Sequence, residues 1–377
     1  MSSLTHADYL ALRRFPALDG LRAFAAVMVV FFHYGGPDWL QGWIGVQMFF
    51  VLSGFLITTL MLREERRTGR ISLPEFYLRR AFRILPVYFV LLAVTVAGSL
   101  AGLFHDNGVG KALPYYLTFL NEFAPGNAYA QSWSLGVEQK FYLVWPLLVV
   151  LVGVVAIKRR LSVAALGMIV AAALAGFTLT HPNGGWPMHY FSILTGCALA
   201  LVMHSSRGFA LLRPLTNPVV SVIVSIGFVG LHLAVKPICG FLGSFGTIPG
   251  HVLVIPVYSA GMFLLLPALI ANGPVQKFLS MRPLQFVGER SYSLYLVQTI
   301  SATAIALAVP ELSGIFQAIT VTALGLVLAS LLYKTVEVPM ISYGRQVIAR
   351  RRVRHQQQAS PSPQPPSRLA TIGQAQP

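Results

Sequence analysis

Apolar residues run along this chain in ten long blocks, separated by short polar or basic stretches. The blocks cover about residues 17–35, 43–62, 83–104, 140–157, 162–180, 187–204, 217–235, 251–271, 291–309 and 314–334. Each approaches the ~20 residues that a helix needs to cross the hydrocarbon core of a bilayer. The pattern predicts an all-α polytopic membrane protein of about ten transmembrane helices. The breaks leave no room for a soluble domain of useful size, and no block repeats another. Residues 1–16 are polar and basic, and predict a short cytoplasmic segment without a removable leader. Residues 17–345 form the expected membrane domain. Residues 346–377 start basic, which suits anionic headgroups. They continue as a Gln/Pro/Ser-rich run that reads as disordered.

Composition sharpens this picture. The chain is 55% hydrophobic and 11% charged, where soluble domains carry about a quarter charged residues. A net charge of +16 raises the question of nucleic acid until the charges are sorted by side. Of the 28 Lys and Arg residues, 24 fall in the two termini and the alternate loops that share their side. Three (Lys111, Lys140 and Lys236) fall on the opposite side, and Arg22 lies within the first block. That bias places both termini in the cytoplasm by the positive-inside rule and leaves no charge excess to argue for nucleic acid. Cys197 lies within a span and Cys239 in a loop, too few cysteines for a disulfide framework.

Chemistry then has to come from the few ionisable groups in or beside the spans, where such groups commonly mark a site. Arg22 and His33 are eleven residues apart, so they share one face of the first helix about 16 Å apart along its axis. Asp19, three residues before Arg22, shares that face and is placed to orient it. In "ISLPEFYLRRAFRILP", Ser72 and Glu75 predict a capping box. Arg80 and Arg83 on one face of the helix that follows suit either headgroup anchoring or a grip on phosphate. In "AYAQSWSLGVEQKFYLVWP", Glu138 is expected in the first turn of the fourth span, at the depth of His33, where it would orient the imidazole or bind sugar hydroxyls. Trp133 and Tyr142 read as interfacial belt residues, or as rings that stack on a sugar. Glu289, Arg290 and Glu337 read as salt-bridged interface residues. The histidines show no metal-ligand spacing, so no metal is predicted.

Taken together these stretches are familiar. "LDGLRAFAAVMVVFFHYG" (18–35), "GVQMFFVLSGFLIT" (45–58), "RRAFRILPVYF" (79–89), "SWSLGVEQKFYLVWP" (132–146), "GERSYSLYLVQT" (288–299) and "VEVP" (336–339) follow one another as in the acyltransferase 3 family. The chain resembles these bacterial integral membrane O-acyltransferases over about residues 17–345. The resemblance implies a ten-helix inner-membrane enzyme with no permanently bound cofactor. Such an enzyme moves an acyl group, often acetyl, from cytoplasmic acyl-CoA to a hydroxyl of a surface glycan or lipid-linked saccharide. The family's arginine–histidine motif falls on Arg22 and His33, its Arg-x-x-Arg on Arg80 and Arg83, and its glutamate on Glu138. Gln47, Gln298 and Lys140 depart from the family's usual residues, which bears on the acceptor and fine geometry.

On this reading Arg22, Arg80 and Arg83 hold the phosphates of acyl-CoA, and the pantetheine arm extends toward His33. His33 is the general base for the acceptor hydroxyl and Glu138 orients it or the acceptor. Ser53 as a covalent acyl carrier ranks below direct transfer, because no base is visibly paired with it. The absence of a C-terminal esterase-like segment suggests a stand-alone transferase. A proton-coupled transporter of a sugar or organic acid is the main alternative, with a scaffold or receptor third. Neither repeats nor paired Gly/Pro-broken half-helices support the transporter.

Overall fold

The computed structural model describes residues 3–103, 108–126, 129–153, 157–180, 185–246 and 248–359. Among these, every regular element is helical. The long helices are α1 (Pro16–His33), α2 (Gly45–Thr68), α3 (Leu73–Leu100), α4 (Trp133–Leu151), α5 (Ile157–Phe177), α6 (Met188–His204), α7 (Pro218–Leu233), α8 (Gly250–Ile270), α9 (Ser291–Ala308), α10 (Gly314–Leu332) and α11 (Val338–Ala359). The first ten coincide with the ten apolar blocks. Eight segments are long and apolar enough to span alone, and ten if each of two bent pairs counts as one span. In those pairs α6 turns by 107° into Ser206–Thr216, and α7 by 58° into Val235–Gly243. Each such pair is a broken span or a re-entrant loop. Cys239 lies in the second of these short helices rather than in a loop.

Three boundaries differ from the hydropathy pattern. Helix α3 starts ten residues before its apolar block, but not through a capping box. The Ser72 N–H donates to Glu64 Oε1 at 3.0 Å, and Glu75 instead binds Arg79 and Arg352. Helix α4 starts at Trp133, seven residues early, because its first turns carry polar side chains that the bundle hides from lipid. Lys140 is therefore a helix residue, with Nζ 2.6 Å from Glu122 Oε1 and 2.9 Å from the Phe119 carbonyl. Its unusual charge is matched on the spot. Helix α10 passes through a π-turn, Tyr333–Glu337, into α11. The basic tail is thus helical through 359, with Arg352 bound to Glu75 of α3. The Gln/Pro/Ser run beyond it lies outside the described residues.

Helix α2 is the spine, with 78% of its apolar window buried. One face joins a core with Tyr88, Trp145 and Leu294 through Phe50, Ile57 and Met61. The other joins Leu18, Tyr258 and Met262 through Leu52 and Phe55. Its closest partner is α6. A Cβ on Gly54 would stand 1.9 Å from the Ile193 carbonyl oxygen, and one on Gly196 would stand 2.0 Å from that of Val51. Only glycine lets the two backbones meet, the usual device where lipid removes the hydrophobic drive between helices. Helix α5 is peripheral, and Leu166, Ile169, Leu174 and Phe177 face outward, as lipid-facing side chains do.

Arg160 was counted above with the basic loops, but it is only 1% exposed. Its Nη1 and Nη2 each donate to Glu65 at 2.7 Å, and Nε donates to the Val149 carbonyl at 3.2 Å. This pair ties α5 to α2 and α4. Removing one partner strands a buried charge, so Glu65→Ala or Arg160→Ala should each destabilise the protein by about 3–5 kcal/mol. The double change Glu65→Leu with Arg160→Met should cost much less. Thermal unfolding in detergent, followed by size-exclusion profile, checks both.

Candidate active site

Helices α1 and α2 run antiparallel. Gly45 packs on Ala25 and Val29, and the Phe55 and Phe15 rings lie 5.8 Å apart. Ser53 is eight residues along from Gly45, about 12 Å toward the basic end, and so level with Leu18 and Asp19. At this level the bundle holds an open-mouthed cavity of about 610 Å3, within the range of ligand pockets. Arg22, Ser53, Arg80, Arg83, Glu138, Tyr142, Tyr295 and Glu337 all line it. Its mouth carries Arg13, Arg14, Arg63 and Arg345.

The cavity gathers most of the residues singled out above. Asp19 Oδ1 is 3.4 Å from Arg22 Nη1. Arg80 stands over the Tyr142 ring, 5.8 Å from its centroid, and 6.0 Å from that of Phe76. Among the described residues neither Arg80 nor Arg83 is salt-bridged, whereas Arg79 is held by Glu64 at 2.6 Å and Glu75 at 3.2 Å. Eight arginines face only four carboxylates around the cavity. Unneutralised guanidinium groups in a confined space make a receptor for a polyanion.

Glu138 is not in the first helical turn and is not with His33. Because α4 starts at Trp133, Glu138 falls a turn and a half inside it. There it has the Tyr142 hydroxyl as a donor at 2.9 Å and lies within electrostatic reach of Arg22 and Arg80. His33 ends α1, about 16 Å from Arg22 along the axis. It is exposed, does not line the cavity, and has only Phe32 and Tyr34 as ring neighbours among the described residues.

Neither aromatic residue of this motif is a belt residue. Tyr142 is buried, with its hydroxyl 2.5 Å from Ser53 Oγ. The Trp133 ring packs 6.0 Å from that of Phe50 and 4.6 Å from His189. His189 hydrogen-bonds Gln47 at 2.8 Å, and Gln47 accepts from Ser192 at 2.7 Å, so the unusual Gln47 serves this buried cluster. Gln298 is 1% exposed, and neither of its amide atoms has a partner among the described residues.

Three cavity residues make contacts that the sequence does not show. Ser53 has the Tyr142 hydroxyl as a partner. Tyr142 enters through its hydroxyl, at i, i+4 spacing from Glu138. Glu337 is 2% exposed and bound by Ser293 at 3.1 Å, not salt-bridged at an interface. It lies at the end of the π-turn, which no sequence pattern marks. Arg290 stacks on Phe286 and Tyr333, 3.6 and 4.6 Å from their ring centroids. A larger hollow of about 1080 Å3 lies beside Ile71 and Pro74. Its carboxylates, Glu64 and Glu75, are already paired with Arg79 and Arg352.

Fold and site define a multi-pass membrane protein with a guanidinium-rich chamber that encloses a carboxylate, a phenol and a hydroxyl. The family model for the acyltransferase domain matches residues 15–334, and the chain belongs to that family. It is 29% identical over 312 residues to the O-acetyltransferase OatA of Staphylococcus aureus, covering 75% of this chain and 50% of that protein. It is 27% identical over 357 residues to the peptidoglycan O-acetyltransferase OatA of Listeria monocytogenes, covering 87% and 56%. It is 28% identical over 370 residues to the putative peptidoglycan O-acetyltransferase YrhL of Bacillus subtilis, covering 90% and 57%. The chain therefore spans about half the length of the curated relatives it matches. No solved structure matches it.

Proposed function

We propose that this protein is an O-acetyltransferase that takes its acyl group from acyl-CoA on the cytoplasmic side and delivers it to a hydroxyl of a cell-surface glycan. The observation that carries the reading is the cavity, in which Arg80 and Arg83, neither salt-bridged among the described residues, line the same space as the Glu138–Tyr142–Ser53 chain. The family supplies the acyl chemistry. The names of the relatives make peptidoglycan the first acceptor to try.

In this reading the termini are cytoplasmic, as the distribution of Lys and Arg argues. The mouth arginines meet the polyphosphate end of CoA, and Arg22, Arg80 and Arg83 hold phosphate oxygens deeper in. The thioester then lies beside Glu138, the carboxylate best placed to receive a proton inside the cavity. His33 stands at the other end of α1, toward the glycan. It is better placed to bind an acceptor arriving there than to act on a thioester held near Ser53.

Two measurements test this. Arg80→Ala with Arg83→Ala should weaken acetyl-CoA binding at least about tenfold and flatten its dependence on salt, as expected when charge-assisted bonds to phosphate are lost. Unchanged binding by isothermal calorimetry removes the phosphate grip. Glu138→Gln should abolish CoA release from acetyl-CoA in membranes. His33→Ala should keep CoA release but lose transfer of labelled acetyl to glycan. Loss of both in His33→Ala returns the base role for the whole reaction to His33.

A further inference from the structure

Resting on the acyl-transfer reading, we propose that Ser53 is a nucleophile that carries the acyl group covalently, activated through Tyr142 by Glu138. The Tyr142 hydroxyl donates to Glu138 Oε2 at 2.9 Å, and a phenol has one proton to give. Either oxygen could donate across the 2.5 Å contact between Ser53 Oγ and the Tyr142 oxygen; with the tyrosine proton directed to Glu138, the serine is the donor in the proposed chain. Ser53 is also within hydrogen-bonding reach of Glu138 itself. Serine, phenol and carboxylate form a directed relay, the nucleophile–base–orienting-group arrangement of covalent acyl transfer with a phenol in the middle. Ser53 also faces the cavity, so its oxygen is open to a substrate there. The residue after it, Gly54, is locked against the Ile193 carbonyl of α6, which holds the serine still.

The step balances. Ser53 Oγ bonds to the thioester carbonyl carbon as its proton passes to the Tyr142 oxygen and the tyrosine proton passes to Glu138. The carbon–sulfur bond breaks, and the CoA thiolate takes a proton back from Glu138, leaving acyl-Ser53 and free CoA. An acceptor hydroxyl then attacks the acyl-serine carbonyl. Its proton enters at Glu138, the relay runs in reverse, and Ser53 Oγ leaves protonated. A free histidine is not needed at the thioester, which agrees with the distance of His33 from this level of the bundle.

The test uses the full chain in membranes or detergent, with acetyl-CoA and no glycan. The wild type should exchange labelled CoA into acetyl-CoA, the mark of a covalent half-reaction, and should yield an acetylated peptide containing Ser53 that hydroxylamine cleaves. Ser53→Ala should lose both. Tyr142→Phe should slow exchange by about 100-fold or more, the usual cost of a lost proton relay. Ser53→Cys guards against a folding artefact: it should keep exchange and hold the label as a thioester. A folded Ser53→Ala that still exchanges CoA, or acetylates glycan at the wild-type rate, overturns the covalent step alone. A label on Tyr142 does the same. A wild type that neither releases CoA nor acetylates any glycan overturns the acyl-transfer reading, and this inference with it.

Discussion

Helices α2 and α6 touch backbone to backbone at Gly54 and Gly196, and the interior of the molecule is organised around that contact. In lipid there is no gain from hiding apolar surface, so helix pairs hold through close packing and polar contacts. With α6 fixed on one side, α2 is free to present Phe50, Ser53 and Ile57 to the cavity on the other. The same contact leaves Gln47 and His189 at the upper end of α2 to build a separate buried polar cluster with Ser192. Phe50 lies between the two, lining the cavity while packing on both Trp133 and His189.

Charge inside the bundle falls into two kinds. One kind is neutralised on the spot: Glu65 with Arg160, Lys140 with Glu122, Arg79 with Glu64 and Glu75. The buried Glu65–Arg160 pair ties helices together and would be costly if half-broken; the exposed Arg79 pairs contribute less. The other kind is left in excess around the cavity. Arg79, which also lines the cavity, is paired with Glu64 and Glu75, whereas Arg80 and Arg83 on the same helix have no salt bridge among the described residues. A membrane protein that keeps cations uncompensated in its interior bears a desolvation cost, and such residues mark a site that an anion completes.

Most of the architecture was legible in the sequence because hydropathy reports directly on lipid. All ten apolar blocks became helices, and their register was right to within a few residues wherever the helix began in lipid. The misplacements share one cause. Helices α3 and α4 begin in polar residues that other helices cover, so the apolar block starts later than the helix. In α4 the shift of seven residues moved Glu138 from the level of His33 to that of Arg22. Periodicity found the shared face of Asp19 and Arg22, and that of Arg80 and Arg83, because those relations are local to one helix.

The sequence by itself determined what is local or set by the solvent: which segments are helical, which side the basic loops favour, the family, and the identity of the arginines, histidine and glutamate at issue. Tertiary structure alone decided which of them meet. Ser53 on α2 and Tyr142 on α4 are 89 residues apart, and no periodicity links helices so far separated in the chain. Their contact depends on how closely α2 packs on α6 and how deep α4 is set, quantities fixed by backbone approach and buried polar pairing rather than by hydropathy.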